Sequence, residues 1–173
     1  MLGCRIRQLF SWLLLIGSLM LGIAFGLGIF NSPTAQAAIQ QLEEAPGQMV
    51  YQTRHTVKDQ FGDRWQWIAF KRQLSNGQST LELRMVALPG VDEIDRTQPL
   101  VFSDPFGQIL TASFSEEAPL ASNVGQYELR SLLADLSPEI PWKLTVKTLK
   151  TPEVKFSISP LFIQELHQLD QFG

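Results

Sequence analysis

Four leucines constrain the chain more than any other feature. Leu129, Leu132, Leu133 and Leu136 stand at i, i+3, i+4 and i+7, the spacing that puts side chains on one face of an α-helix. Val124 and Tyr127 extend that stripe, Asn123 can cap the first turn, and Gln126 three residues on can complete a capping box. Ser137-Pro138 ends it, because proline disfavours helical geometry in the residue before it. The spacing predicts a helix over Asn123–Leu136 whose apolar face lies against strands.

The segments around it alternate with period two. Leu81, Leu83 and Met85 point one way while Glu82 and Arg84 point the other, the pattern of a half-buried strand. Asn76-Gly77 before it predicts a type I′ hairpin with Arg64–Gln73, whose Trp65, Trp67, Ile68, Ala69 and Phe70 load both faces. Met49–Lys58, Leu100–Ser103 and Ile109–Phe114 read as strands. So do the runs around Trp142, Leu144 and Val146 and around Val154, Phe156 and Ile158. Pro89-Gly90 and Asp104-Pro105-Phe106-Gly107 supply turns. Ser159-Pro160 opens a short C-terminal helix that buries Phe162, Leu166 and Leu169. Strands joined by short turns pair antiparallel. The expected fold is α+β: about seven antiparallel strands in a bent sheet or partial barrel, packed on one central amphipathic helix. An eight-strand closed barrel and a plain sandwich are the alternatives.

The N-terminus reads as a targeting segment. Arg5 and Arg7 precede an uncharged apolar run, Leu9–Phe30, and Ala35-Gln36-Ala37 has the small-x-small form of a signal peptidase site. Cleavage is expected between Ala37 and Ala38. That makes residues 1–37 a signal peptide, 38–47 a flexible lead and 48–173 a single domain. The rival is an uncleaved membrane anchor, since the run is about long enough to span a bilayer. Either way the arginines hold the N-terminus in the cytoplasm and send the domain across a membrane, by the general secretory route.

Removing the leader shifts the charge. Residues 38–173 keep 12 of the 14 basic residues against all 17 acidic ones, a net of −5. No dense basic patch with interleaved aromatics suggests nucleic acid. The one cysteine, Cys4, lies in the leader. Disulfides, thiol catalysis and cysteine-ligated metals are therefore excluded from residues 38–173.

Reactive constellations are sparse. His55 lacks a partner identifiable from its neighbours in sequence and reads as structural or surface; His167 reads as exposed. Asp92, Glu93 and Asp95 form the densest acidic cluster, but without calcium-loop spacing they read as a solvated loop. No Gly-x-Ser-x-Gly, phosphate loop or dinucleotide fingerprint occurs. Trp65 and Trp67 share a face and can pack in the core or, with Tyr127, form a partner or ligand surface. Lys143, Lys147 and Lys155 fall on outward positions, where lysines guard a sheet edge or meet anionic head groups. No catalytic, cofactor-binding or metal residue is assigned.

Several stretches carry a family resemblance: Met49–Arg54, Asp59–Gly62, Trp65–Arg72, Leu83–Gly90, Ile94–Leu100, Gly125–Leu129 and Ile158–Leu161. They resemble a family of secreted cyanobacterial proteins defined as domain of unknown function 3122. The resemblance implies a cyanobacterial host and export to the periplasm or thylakoid lumen. It implies no activity, and no catalytic or binding residue carries over. The first functional reading is a non-enzymatic accessory or protein-binding factor at a membrane complex. A carrier with a small lipophilic ligand between sheet and helix is second. A hydrolase or isomerase using Asp92, Asp95 or Glu128 around His55 is third.

Overall fold

The computed structural model describes residues 39–45, 48–73, 77–115 and 121–172, with residues 12 and 16–18 of the N-terminal run. The chain divides into two units, Met1–Gln36 and Ala37–Gly173; all that follows concerns the second. Among the described residues no helix is long and apolar enough to cross a membrane. Ala37, Ala38, Asn76 and the expected signal peptide's cleavage point lie outside the described residues.

Among the described residues of this unit, nine strands form two antiparallel sheets, followed by one helix at the C-terminal end. The first sheet has the order β1-β2-β3-β4-β7 and the second β6-β5-β8-β9. These are β1 (Gln40–Ala45), β2 (Gln48–Lys58), β3 (Arg64–Gln73), β4 (Ser79–Ala87), β5 (Leu100–Ser103), β6 (Ile109–Ala112), β7 (Val124–Glu128), β8 (Lys143–Val146) and β9 (Val154–Ser157), followed by α1 (Pro160–Gln171). All seven strands expected from alternation are present. The additional two, β1 and β7, fall where a flexible lead and the central helix were expected.

The expected central helix is not formed, so the fold is two β-sheets rather than a sheet packed on a helix. Val124–Glu128 instead pairs with β4, Leu83 opposite Tyr127 and Met85 opposite Gly125. The supposed capping residues serve the sheet. The Asn123 side chain donates to the Ala87 carbonyl at 2.7 Å, and Gln126 accepts from Arg84. Leu129–Leu136 winds through successive turns closed by bonds such as Leu132 N–H to Leu129 O and Asp135 N–H to Leu132 O, both 3.0 Å. All four leucines are buried, because their spacing gathers them on one side of a coil of turns as well as of a helix. Two causes act together. Strand β4 has a long edge that needs a hydrogen-bonding partner. Between Glu128 and Ser137-Pro138 the remaining segment is too short to repay helix nucleation. Glu128 receives the first free amides of the turn, from Arg130 at 2.6 Å and Ser131 at 3.4 Å.

Gly125 shows why this segment is strand. The Tyr127 ring lies over it, and a Cβ there would stand 2.9 Å from Tyr127 Cε2 and Oη and 3.1 Å from Ile94 Cγ2. A glycine in a strand often marks such a close approach. Gly125→Ala should cost about 1–3 kcal/mol through overpacking, read as a drop in urea midpoint with unchanged m-value.

The inner faces of the two sheets share one core. Trp65 and Trp67 of β3 meet Phe156 of β9 edge-on, ring centroids 5.4 and 5.2 Å apart. Helix α1 closes one side, its Phe162 5.3 Å from the Trp67 ring. Ser159 caps it by accepting from Leu161 N–H, with Pro160 in the first turn as expected. The β3–β4 hairpin forms, but Gln73 pairs with Ser79, so its loop is longer than a two-residue type I′ turn.

Candidate functional site

The residues singled out for a surface are core residues. Trp65, Trp67 and Tyr127 are 0, 2 and 0 % exposed. The Trp65 indole donates to Asp59 Oδ2 at 3.0 Å, and Asp59 Oδ1 takes the amides of Phe61 and Asp63. Burial, with Asp95 nearby, pushes the Tyr127 hydroxyl up to about 12, so it stays protonated.

His55 does find a carboxylate, but not one expected from sequence. Its Nε2 lies 2.6 Å from Glu165 Oε2 on α1. Thr53 Oγ1 stands 3.1 Å from the same oxygen and 3.2 Å from the same ring nitrogen. A nucleophile–base–acid relay needs the hydroxyl and the carboxylate on opposite ring nitrogens. Here both meet Nε2, and Thr53 is buried. The trio braces β2 against α1. His167, half-buried, likewise ties α1 to the leucine turn through the Leu136 carbonyl at 2.8 Å.

The acidic cluster separates into distinct roles. Glu93 is exposed and Asp95 caps the next turn through Thr97. Asp92 is buried rather than solvated. Its Oδ1 accepts from Glu93 N–H at 2.7 Å and Lys150 N–H at 3.1 Å; its Oδ2 accepts from Thr148 Oγ1 at 2.7 Å and Thr151 N–H at 3.0 Å. Among the described residues no cluster of three or more His, Cys, Asp and Glu could hold a metal ion.

The surface feature with the chemistry of a binding site is a groove on the second sheet. Two clefts of about 370 and 420 Å3 adjoin, sharing Lys143 of β8 and Ser157 of β9. One half is basic, with Lys58, Lys143 and Lys155 in its lining. The other is apolar, floored by Trp142 and Ile158 with Pro105 and Pro141 at its wall. Strand alternation makes this division: Leu144, Val146, Val154 and Phe156 turn inward, which leaves Lys143, Lys155 and Ser157 outward.

Charge is distributed unevenly along the groove. Lys155 and Lys147 both pair with Glu153, at 2.9 and 2.7 Å, and hold its carboxyl down to about 2. Lys58 and Lys143 are exposed and have no ion-pair partner among the described residues. Gln60 covers the β9 edge at Lys155, donating its backbone N–H to the Lys155 carbonyl at 3.1 Å while its side-chain oxygen accepts from Lys155 N–H. Beyond the apolar half stands the β5–β6 hairpin tip, where Phe106 is 83 % exposed and Ile109 is exposed beside it. The turn is well made: Asp104 Oδ1 accepts from Phe106 and Gln108 amides, and Gly107 takes φ 93°.

The outward lysines were expected from alternation. Lys58, Trp142 and Phe106 were not placed with them, since only the pairing of distant strands brings them together. Neither Leu129 nor Leu133, the wall of the expected ligand pocket, lines either cleft.

Residues 37–169 match the model of a protein family described as a protein of unknown function, DUF3122. Comparison with curated proteins and with solved structures gives no match.

Proposed function

The chain belongs to the DUF3122 family, and from this domain's own geometry we propose that it is an exported, non-enzymatic module that binds another protein, as an accessory factor at a membrane complex. The observation that carries the reading is Phe106, a large aromatic held almost fully in solvent on a well-formed turn beside a cleft with an apolar floor. Aromatic side chains presented this way are the usual anchors of protein interfaces. The basic half of the groove adds polarity, so the partner segment carries acidic residues next to an apolar one.

Export is supported by Arg5 and Arg7 before the apolar run and by Ala35-Gln36-Ala37. Both the compact unit and the family match begin at Ala37, next to the expected cleavage point. The periplasm or the thylakoid lumen is the destination, and a small lipophilic ligand is the alternative partner.

A photo-crosslinking residue at position 106 tests the reading in cells that make the full chain. A discrete protein adduct from position 106, absent from position 54 on the other sheet, is the expected result. Phe106→Ser should leave stability within about 0.5 kcal/mol yet weaken comigration with the partner on native gels by about tenfold or more. A free monomer in wild-type extracts, with no adduct from position 106, would sink the proposal.

A further inference from the structure

The outer face of the first sheet carries a second concavity, of about 200 Å3. Its lining includes Arg54 and Val50 of β2, Ile68, Phe70 and Arg72 of β3, and Arg84 of β4, with no acidic residue among the described lining. Register explains the gathering. Arg54 stands opposite Ile68, and Ile68 opposite Arg84, so the two arginines flank one isoleucine. Phe70 and Arg72 follow on the same face of β3.

Phe70 is an aromatic on an outer face, yet it is buried. The guanidinium carbons of Arg72 and Arg84 lie 5.4 and 5.3 Å from its ring centroid, within cation–π range. Arg84 gives Nε and Nη2 to the neutral Gln126 Oε1, at 3.0 and 2.7 Å. Arg72 faces Glu82 at 3.8 Å, while Ser115 donates to the other Glu82 oxygen. Arg54 is exposed and has no hydrogen-bond or ion-pair partner among the described residues. Arg54 and Arg84 thus bring two positive charges that no carboxylate pairs among the described residues, in a domain whose residues 38–173 are net negative.

We propose that this cleft binds a phosphate monoester carried on a short apolar body. Such a group bears about −1.5 to −2 charge at neutral pH, which matches the local excess. The Arg54 fork and the end-on Nη edge of Arg84 that Gln126 leaves open suit its oxygens, while Val50 and Ile68 meet the apolar part. The same chemistry arrives either as a soluble organic phosphate or as the head group of phosphatidic acid. This site lies on the other sheet from the Phe106 groove, and its test is independent of that reading.

Calorimetry on the full chain with phenyl phosphate and with inorganic phosphate tests it. The expected result is saturable binding of phenyl phosphate, weaker binding of inorganic phosphate, and a loss of about tenfold or more in Arg54→Gln. Arg54 is exposed, so that variant folds; unchanged thermal unfolding confirms it, and Lys150→Gln, an exposed lysine that lines none of the three clefts, serves as the unaffected control. Flotation with phosphatidylcholine vesicles, with and without phosphatidic acid, separates the sources. It is read as wild type against Arg54→Gln, because both share the apolar N-terminal run. Arg54-dependent recovery on phosphatidic acid identifies the lipid source; its absence alongside phenyl phosphate binding identifies a soluble one. No saturable binding of either phosphate, or equal affinity in Arg54→Gln, overturns the proposal.

Discussion

Asp92→Ala should destabilise the domain by about 3 kcal/mol, the largest effect expected of any polar substitution in it. Asp92 is buried, and its two oxygens accept four hydrogen bonds. Three of the donors belong to the β8–β9 connection, Thr148, Lys150 and Thr151, so one carboxylate holds the loop after β4 against the turn between two strands of the other sheet. Alanine would strip the Glu93, Lys150 and Thr151 amides and the buried Thr148 hydroxyl of this acceptor, leaving the hydroxyl only the Thr151 carbonyl; a donor deprived of its partner costs more than the net value of the bond. Asp92→Asn should recover part of that loss. With its NH2 group at the Oδ1 position it faces the Glu93 and Lys150 amides; at the Oδ2 position it faces the Thr151 amide, while the Thr148 hydroxyl can turn to accept from it. Equilibrium urea unfolding measures all three; a loss below about 1 kcal/mol for alanine would mean the bracket is dispensable.

The same carboxyl predicts a pH dependence with a definite sign. Burial by itself raises its pKa; the hydrogen bonds from Thr148, Glu93, Lys150 and Thr151 outweigh that and leave it below the ordinary value of 3.8. A group whose folded-state pKa is depressed contributes stability that is present above the unfolded value and lost as pH falls through the folded one. The contribution is therefore full at neutral pH and drains away below 3.8. In Asp92→Asn the stability curve should be flatter across that acid window than in wild type, and parallel to it above.

What sequence could tell depended on how local the cause was. The seven strands read from alternation all form, because inward and outward positions along a strand are written in its own residues. Ser159-Pro160 and Asp104–Gly107 are equally local, and both make the expected cap and turn. Asn123–Leu136 misled for a physical reason. Hydrophobic spacing records which side chains are buried, and all four leucines are; it does not record where the backbone hydrogen bonds go. Those were decided by the open edge of β4, a partner far back in the chain. The sites share this limit. Glu165 reaches His55 across 110 residues. Arg54, Arg72 and Arg84 converge only once the register of three strands is set. Outward lysines were visible, but the groove they border needed Trp142 and the 104–107 turn brought to the same place.

Trp67→Ala should cost about 4 kcal/mol, more than loss of the Asp92 carboxylate. Its ring meets Phe156 of the second sheet and Phe162 of α1, so three elements close on one side chain. Truncation opens a cavity that they cannot fill, because each strand is held in register by its neighbours. Trp67→Phe tests the argument more finely. The Trp67 Nε1–H is buried without a hydrogen-bond partner among the described residues, a state that costs about 1–3 kcal/mol. Phenylalanine removes that donor while giving up only part of the ring volume. The two changes oppose, and the variant should fall within about 1.5 kcal/mol of wild type. If Trp67→Phe instead loses as much as alanine, the unpartnered indole N–H carries little penalty and shape alone sets the cost. If Trp67→Ala loses under about 1 kcal/mol, Trp67 is not the wedge between the sheets, and its role at a surface would have to be reopened.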